Sequence, residues 1–158
     1  MLWLTVIGLG TWAGGTLYQM LVIVPIWSGS PPDSVRSFFG STDYNRTIWR
    51  FFGPPFMLAR GLPLLAALLA GWPFRIHRRA LLVATVGMVF NVILTIAYIY
   101  PINAVLFEQA GGGRAAGEVQ AMVDRWILAD RFRFAVGTVS FLAVLVAFRL
   151  PPPRAAIK

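Results

Sequence analysis

Four stretches of this sequence, residues 1–32, 61–74, 80–107 and 134–148, run without a single charged side chain. Uncharged runs of that length have few places to go, because a helix of about 20 apolar residues is what a bilayer core accepts. A soluble domain of 158 residues keeps too much of its surface in water to hide them. Composition agrees: 58% of residues are hydrophobic and 13% charged, against about 45–50% and about 25% in soluble domains. The expected fold is all-α, a four-helix transmembrane bundle forming one integral membrane domain over residues 1–158, with spans near 2–27, 54–74, 80–101 and 126–149.

Several function classes fall away at once. Without cysteine the chain has no disulfide, thiolate nucleophile or thiolate metal site. With His77 as its single histidine it has no multi-histidine metal or haem site either, and no cofactor is expected. The net charge of +8 sits beside membrane segments rather than on a soluble basic face, so nucleic acid is not an expected partner. The lipid bilayer is.

The second and fourth uncharged cores are short. To cross, the second helix must begin at Pro54-Pro55, a good first-turn position for proline, which draws Arg60 into the span. The fourth must likewise draw in Arg133, with Arg131 next in line. The first run lacks the basic start and cleavage site of a secretory signal and reads as a retained span. Four spans put both termini on one side together with the turn holding Arg75, Arg78 and Arg79. A short turn with three arginines resists translocation. Both termini and His77 are therefore expected in the cytoplasm and the protein in the inner membrane.

Between the spans, Gly29, Ser30, Pro31 and Pro32 read as a turn. Tyr44, Ile48, Phe51 and Phe52 then follow helical spacing, with Arg46, Trp49 and Arg50 beside them, as in a short interfacial helix. Asn45-Arg46-Thr47 matches the glycosylation sequon and is taken as a chance match. The other loop breaks at Gly111-Gly112-Gly113 and resumes as helix from about Ala115, with Val119, Met122, Val123, Trp126 and Ile127 as its apolar stripe. Trp/Arg/Phe-rich stretches precede both even-numbered spans; they read as the aromatic belt rather than as an internal repeat.

Gly10 and Gly14, with Thr11 and Gly15 one position on, form small-xxx-small pairs that suit close helix packing. Polar groups inside spans say more, since each needs a partner or water. Thr11, Gly15, Tyr18 and Gln19 are expected to share one face of the first helix, and Asn91, Thr95 and Tyr98 one face of the third. Pro101 is expected to push Tyr100 out of helical geometry, and Pro63 to kink the second span. With the termini inside, Tyr18 and Gln19, Arg60, the stretch from Tyr98 to Asn103, and Arg133 converge in the outer half of the bilayer, and helical spacing sets Trp126, Asp130 and Arg133 on one face. The convergence suits a flat, phenolic or anionic apolar molecule arriving from lipid. Too few hard oxygen ligands are present for a metal.

Tyr100-Pro101-Ile102-Asn103 at the end of the third span, and Trp126 followed by Asp130-Arg131-Phe132-Arg133, resemble the anthrone oxygenase-like family of small four-span membrane proteins, mainly over residues 80–150. Many relatives carry a histidine near the outer end of the first helix, where this chain has Val22-Ile23-Val24-Pro25. The resemblance implies oxidation of a polycyclic phenol by O₂ without metal or flavin. Asp130 would be the base, with Arg133, Arg131 or Arg60 stabilising the enolate. Asn103, Trp126, Arg60, Tyr98 and Gln19 would hold the substrate. The alternative is a non-catalytic membrane protein that binds a lipid-soluble small molecule or serves as a subunit of a larger complex. A structural ion pair between Asp130 and a neighbouring arginine fits that alternative.

Overall fold

A computed structural model describes residues 1–41 and 44–151, and the side chains at 41, 44–46 and 49 lie outside that description. The sequon and the Tyr44, Arg46 and Trp49 side chains of the expected interfacial helix therefore lie outside the described residues. Helix is the only regular structure among those described. Four helices are long and apolar enough to cross a membrane: α1 (Leu2–Ser28), α4 (Pro54–Gly71), α5 (Arg75–Glu108) and α6 (Ala116–Arg149). Two short helices, α2 (Asp33–Ser41) and α3 (Tyr44–Phe52), join the first span to the second. This is an all-α membrane protein.

The spans form a ring in which each packs on two neighbours, in the order α1, α4, α5, α6 and back to α1. Their outward faces carry Leu4, Ile7, Leu62, Leu69, Val86, Ile93, Val139 and Val146, all exposed as lipid contact requires. α5 and α6 are 34 residues each, about 51 Å of helix against a hydrocarbon core of about 30 Å. Their extra length lies at the end opposite the termini. The turn between them is made by Gly111, Gly112 and Gly113, all at positive φ (83°, 46° and 68°), following Ala110 at 47°. Glycine takes such values without the Cβ penalty.

Two apolar cores hold the ring. Near the termini, Leu9, Leu64, Leu68, Leu81, Ala84 and Val144 pack together. At the loop end, Trp27, Val35, Phe39, Leu106, Phe107, Val123 and Trp126 do so. Trp27 is the hub of the second, with ring centroids 5.6, 5.5 and 5.1 Å from Phe39, Phe107 and Trp126. That aromatic cluster fastens α2 over the ends of α5 and α6. Between the two cores, every span contributes buried polar side chains: Thr16 and Gln19 from α1, Arg60 from α4, Asn91 and Thr95 from α5, Asp130, Arg133 and Ser140 from α6.

The third span does not break at Pro101 as expected, and α4 is helical on both sides of Pro63. Tyr100 is helical (φ −61°, ψ −42°) and α5 continues through Pro101 to Glu108. A π turn over Thr95–Ile99 immediately precedes it, with the Tyr100 N–H donating to the Thr95 carbonyl. α1 repeats the device: a π turn over Gln19–Ile23, the Val24 N–H donating to the Gln19 carbonyl, then Pro25. Widening the turn just before proline accommodates a residue that has no N–H and whose ring crowds the preceding carbonyls. The flanking sequences match, Ile23-Val24-Pro25-Ile26 against Ile99-Tyr100-Pro101-Ile102. α1 and α5 run the same way on opposite sides of the ring, and α4 and α6 each bring one buried arginine.

The small-residue pairs act differently from the expected seam. Gly14 has nothing near it, whereas a Cβ on Gly10 would come within 3.2 Å of the Phe141 ring. The tightest of the glycine contacts among the described residues is on α6, where the Trp12 ring occupies the space a Cβ on Gly137 would need. On α1 the inward residues are Thr5, Leu9, Trp12, Thr16 and Gln19, while Thr11 and Tyr18 face outward. The shared polar face expected for Thr11, Tyr18 and Gln19 is thus not formed, because Thr11 and Tyr18 each lie one residue off the inward stripe.

Candidate functional site

The polar layer is organised by α6. Asp130 and Arg133 lie one turn apart on its inner face, 1% and 8% exposed in their side chains, and Arg133 Nη2 donates to Asp130 Oδ1 at 2.5 Å. Arg133 Nη1 donates to Thr95 Oγ1 at 3.3 Å, and the Thr95 hydroxyl donates to the Asn91 carbonyl at 2.7 Å. With its amide turned to satisfy both atoms, Asn91 donates to the Arg133 carbonyl and accepts from the Gly137 N–H. Arg133 is thereby fixed from two helices.

Arg60 sits in the same layer without a carboxylate. Its guanidinium lies over the Trp12 ring at 5.1 Å and the Phe56 ring at 6.0 Å, with Arg133 as an electrostatic neighbour. Asp130 is the one buried carboxylate among the described residues, so two buried guanidiniums share one negative charge. The position three residues before Arg133 holds Asp130; three before Arg60 stands Met57. Several polar atoms in the layer are buried and unsatisfied: Arg60 Nε, Arg133 Nε, Gln19 Oε1, Thr16 Oγ1 and Asp130 Oδ2. Native proteins leave few such atoms, and those they leave mark strain, unseen water or function.

Two cavities flank this pair. On the inner side is a chamber of about 60 Å³ whose wall includes Gln19, Thr95, Tyr100, Asn103, Trp126 and Arg133, with Ile48 and Phe52 of α3 over it and Gly53 at the start of α4. Trp126 Nε1–H donates to Asn103 Oδ1 at 2.6 Å, closing one wall and joining α5 to α6. The Phe52 ring lies 5.9 Å from the Arg133 guanidinium. On the outer side is a groove of about 540 Å³ between α1 and α6, lined by Met20, Val24, Pro25, Trp126, Asp130 and Arg131 among others.

The expected site residues divide accordingly. Gln19, Asn103, Trp126 and Arg133 meet in the chamber. Arg60 does not line it, since Trp12 and Phe56 enclose its guanidinium behind the wall. Arg131, one residue past Asp130, is rotated away from the interior; it is exposed and belongs to the outer groove. Tyr98 is also misplaced by the sequence reading. Its side chain is 42% exposed, because the π turn carries the inward face of α5 from Asn91 and Thr95 to Ile99 in four-residue steps. Tyr100 takes the place expected for it. Thr95, expected on the polar face of α5, is in the wall as well, and Phe52 and Gly53 join it from α3 and the start of α4.

No protein-family model, curated protein sequence or solved structure matches the chain.

Proposed function

We propose that this membrane protein binds a lipid-soluble small molecule bearing an acidic or phenolic group, taken from the bilayer and held at the Arg133 chamber. The observation that supports this is the surplus of buried positive charge: Arg60 and Arg133 against Asp130, with both arginine Nε atoms unpartnered. Burying an uncompensated guanidinium is costly, and a ligand anion offsets that cost.

A second reading, cofactor-free oxygenation of an anthrone-type phenol, is favoured by one observation. Asp130 Oδ2 is buried without a partner and its side chain borders the outer groove. A cavity of about 150 Å³ holds a benzene; the groove, at about 540 Å³, has room for a fused tricycle. In that reading Asp130 takes the benzylic proton, the carbanion gives its electrons to O₂, and quinone and water leave. One preparation tests both readings. Purified protein, in detergent, should melt higher with acidic or phenolic apolar ligands, by about 2.7 kcal/mol at a hundredfold excess over Kd. Absence of any such shift sinks the binding reading. O₂ uptake by anthrones no faster than in empty micelles sinks the oxygenase.

In this reading the termini are cytoplasmic and the chamber lies in the outer leaflet of the inner membrane. Reporter fusions after Arg79 and after Gly112 should report cytoplasmic and external positions respectively. Swapped signals would move the chamber to the cytoplasmic leaflet.

A further inference from the structure

Resting on the reading of the chamber as an acid-binding site, we propose that its ligand is a single-chain amphiphilic carboxylate, with the carboxylate at Arg133 and the chain leaving between α1 and α3 into lipid.

Size selects the head group. The chamber is about 60 Å³, less than half of the roughly 150 Å³ that admits a benzene ring. It holds a carboxylate and the first carbons of a chain. Charge selects the ionic state. Arg133 is paired with Asp130, so the unmatched charge is that of Arg60 behind the chamber wall, and one carboxylate in the chamber balances the layer as a whole.

Polar groups surround the chamber. Arg133 lines it and is 7% exposed, and its Nε is buried beside it without a partner. Asn103 accepts from Trp126 through its oxygen, which leaves its amide nitrogen as a donor. Gly53 in the wall is the N-cap of the 18-residue α4, and no side chain caps that terminus. Pro54 and Pro55 have no N–H, and the first helical bond is Met57 N–H to the Gly53 carbonyl. The Phe56 N–H is therefore the first-turn donor left, at the positive end of the helix dipole. Gln19 Oε1 is an unpartnered acceptor in the same wall; a half-turn of its amide presents a donor instead.

The chain has a way out. An apolar cleft of about 210 Å³ shares Gln19, Ile48 and Phe52 with the chamber and continues past Gly15, Tyr18, Ile23 and Phe51. It ends on the lipid face, where Tyr18 is 59% exposed. Gly15 lets α3 close onto α1 at the cleft, since the Phe51 ring occupies the space its Cβ would need.

The full chain in phosphatidylcholine nanodiscs, which carry no anionic lipid, is titrated with palmitate, butyrate, hexadecanol, phosphatidylglycerol and a simple phenol, with binding read by melting temperature and calorimetry. Each buried methylene strengthens binding about fourfold, so palmitate should bind far more tightly than butyrate. Hexadecanol should bind at least about tenfold more weakly than palmitate. Phe51→Trp, which narrows the cleft, should weaken palmitate about tenfold and leave butyrate within about twofold. If that variant does not melt cooperatively, Ile23→Trp on the opposite wall repeats the test. Equal binding of hexadecanol overturns the head-group assignment, and equal effects of the cleft variant on both acids overturn the route. Phosphatidylglycerol displacing palmitate at equal concentration overturns the carboxylate in favour of a phosphodiester. Phenol binding without any carboxylate binding overturns this proposal and leaves the acid-binding reading; no binding of either overturns both.

Discussion

Replacing Asp130 with alanine should cost about 3–5 kcal/mol, the range measured when one partner of a buried ion pair is removed. The reason is specific to this layer. Asp130 is 1% exposed and is the one buried carboxylate among the described residues, so the variant leaves Arg133 and Arg60 facing each other with no counter-charge. The double variant Asp130→Leu with Arg133→Met should recover most of that loss, because a matched apolar pair removes both desolvation penalties. Equilibrium unfolding in mixed micelles of a mild detergent and SDS measures both. A single variant that loses less than about 1 kcal/mol, or a double variant no better than the single, would show that the pair does not hold the layer.

Gly137→Ala should cost about 1–3 kcal/mol, as overpacking of a filled core does. Trp12, 2% exposed, presses its ring onto Gly137 on one side while Arg60 lies over it at 5.1 Å. A methyl group on α6 must therefore displace an indole and disturb a guanidinium at the same time. Trp12→Phe in the same chain frees space for the methyl and should return part of the loss. The same unfolding assay reads the outcome. An alanine variant as stable as the parent would mean that α1 and α6 slide apart at little cost.

The spans were legible because uncharged runs of this length have one physical use. Arg60 and Arg133 could be drawn inside for the same reason: the runs beside them are too short to cross alone. The one-turn spacing of Asp130 and Arg133 likewise predicted a shared face, and their bond follows from it. What could not be read depended on contacts between helices. Nothing near Gly137 announces that Trp12 will land on it. Nor does the sequence pair Trp126 with Asn103 across two helices. Ser30, Pro31 and Pro32 mark a turn but also lead into helix α2, whose only sequence sign is the helical spacing of Val35, Phe38 and Phe39, two of them buried. Tyr98 was misassigned for a geometrical reason. An ideal α-helix was assumed where the chain forms a π turn, and the inward face passed to Ile99 and Tyr100 instead.

The two arginine-bearing spans differ at one position that sets their charge. α6 has an acid three residues before its arginine, at Asp130, and α4 has Met57 at the matching place. α6 is therefore self-neutral, whereas α4 brings a guanidinium whose counter-ion must come from another helix or from a bound anion. Cohesion of the bundle and affinity for an anion thus draw on the same carboxylate.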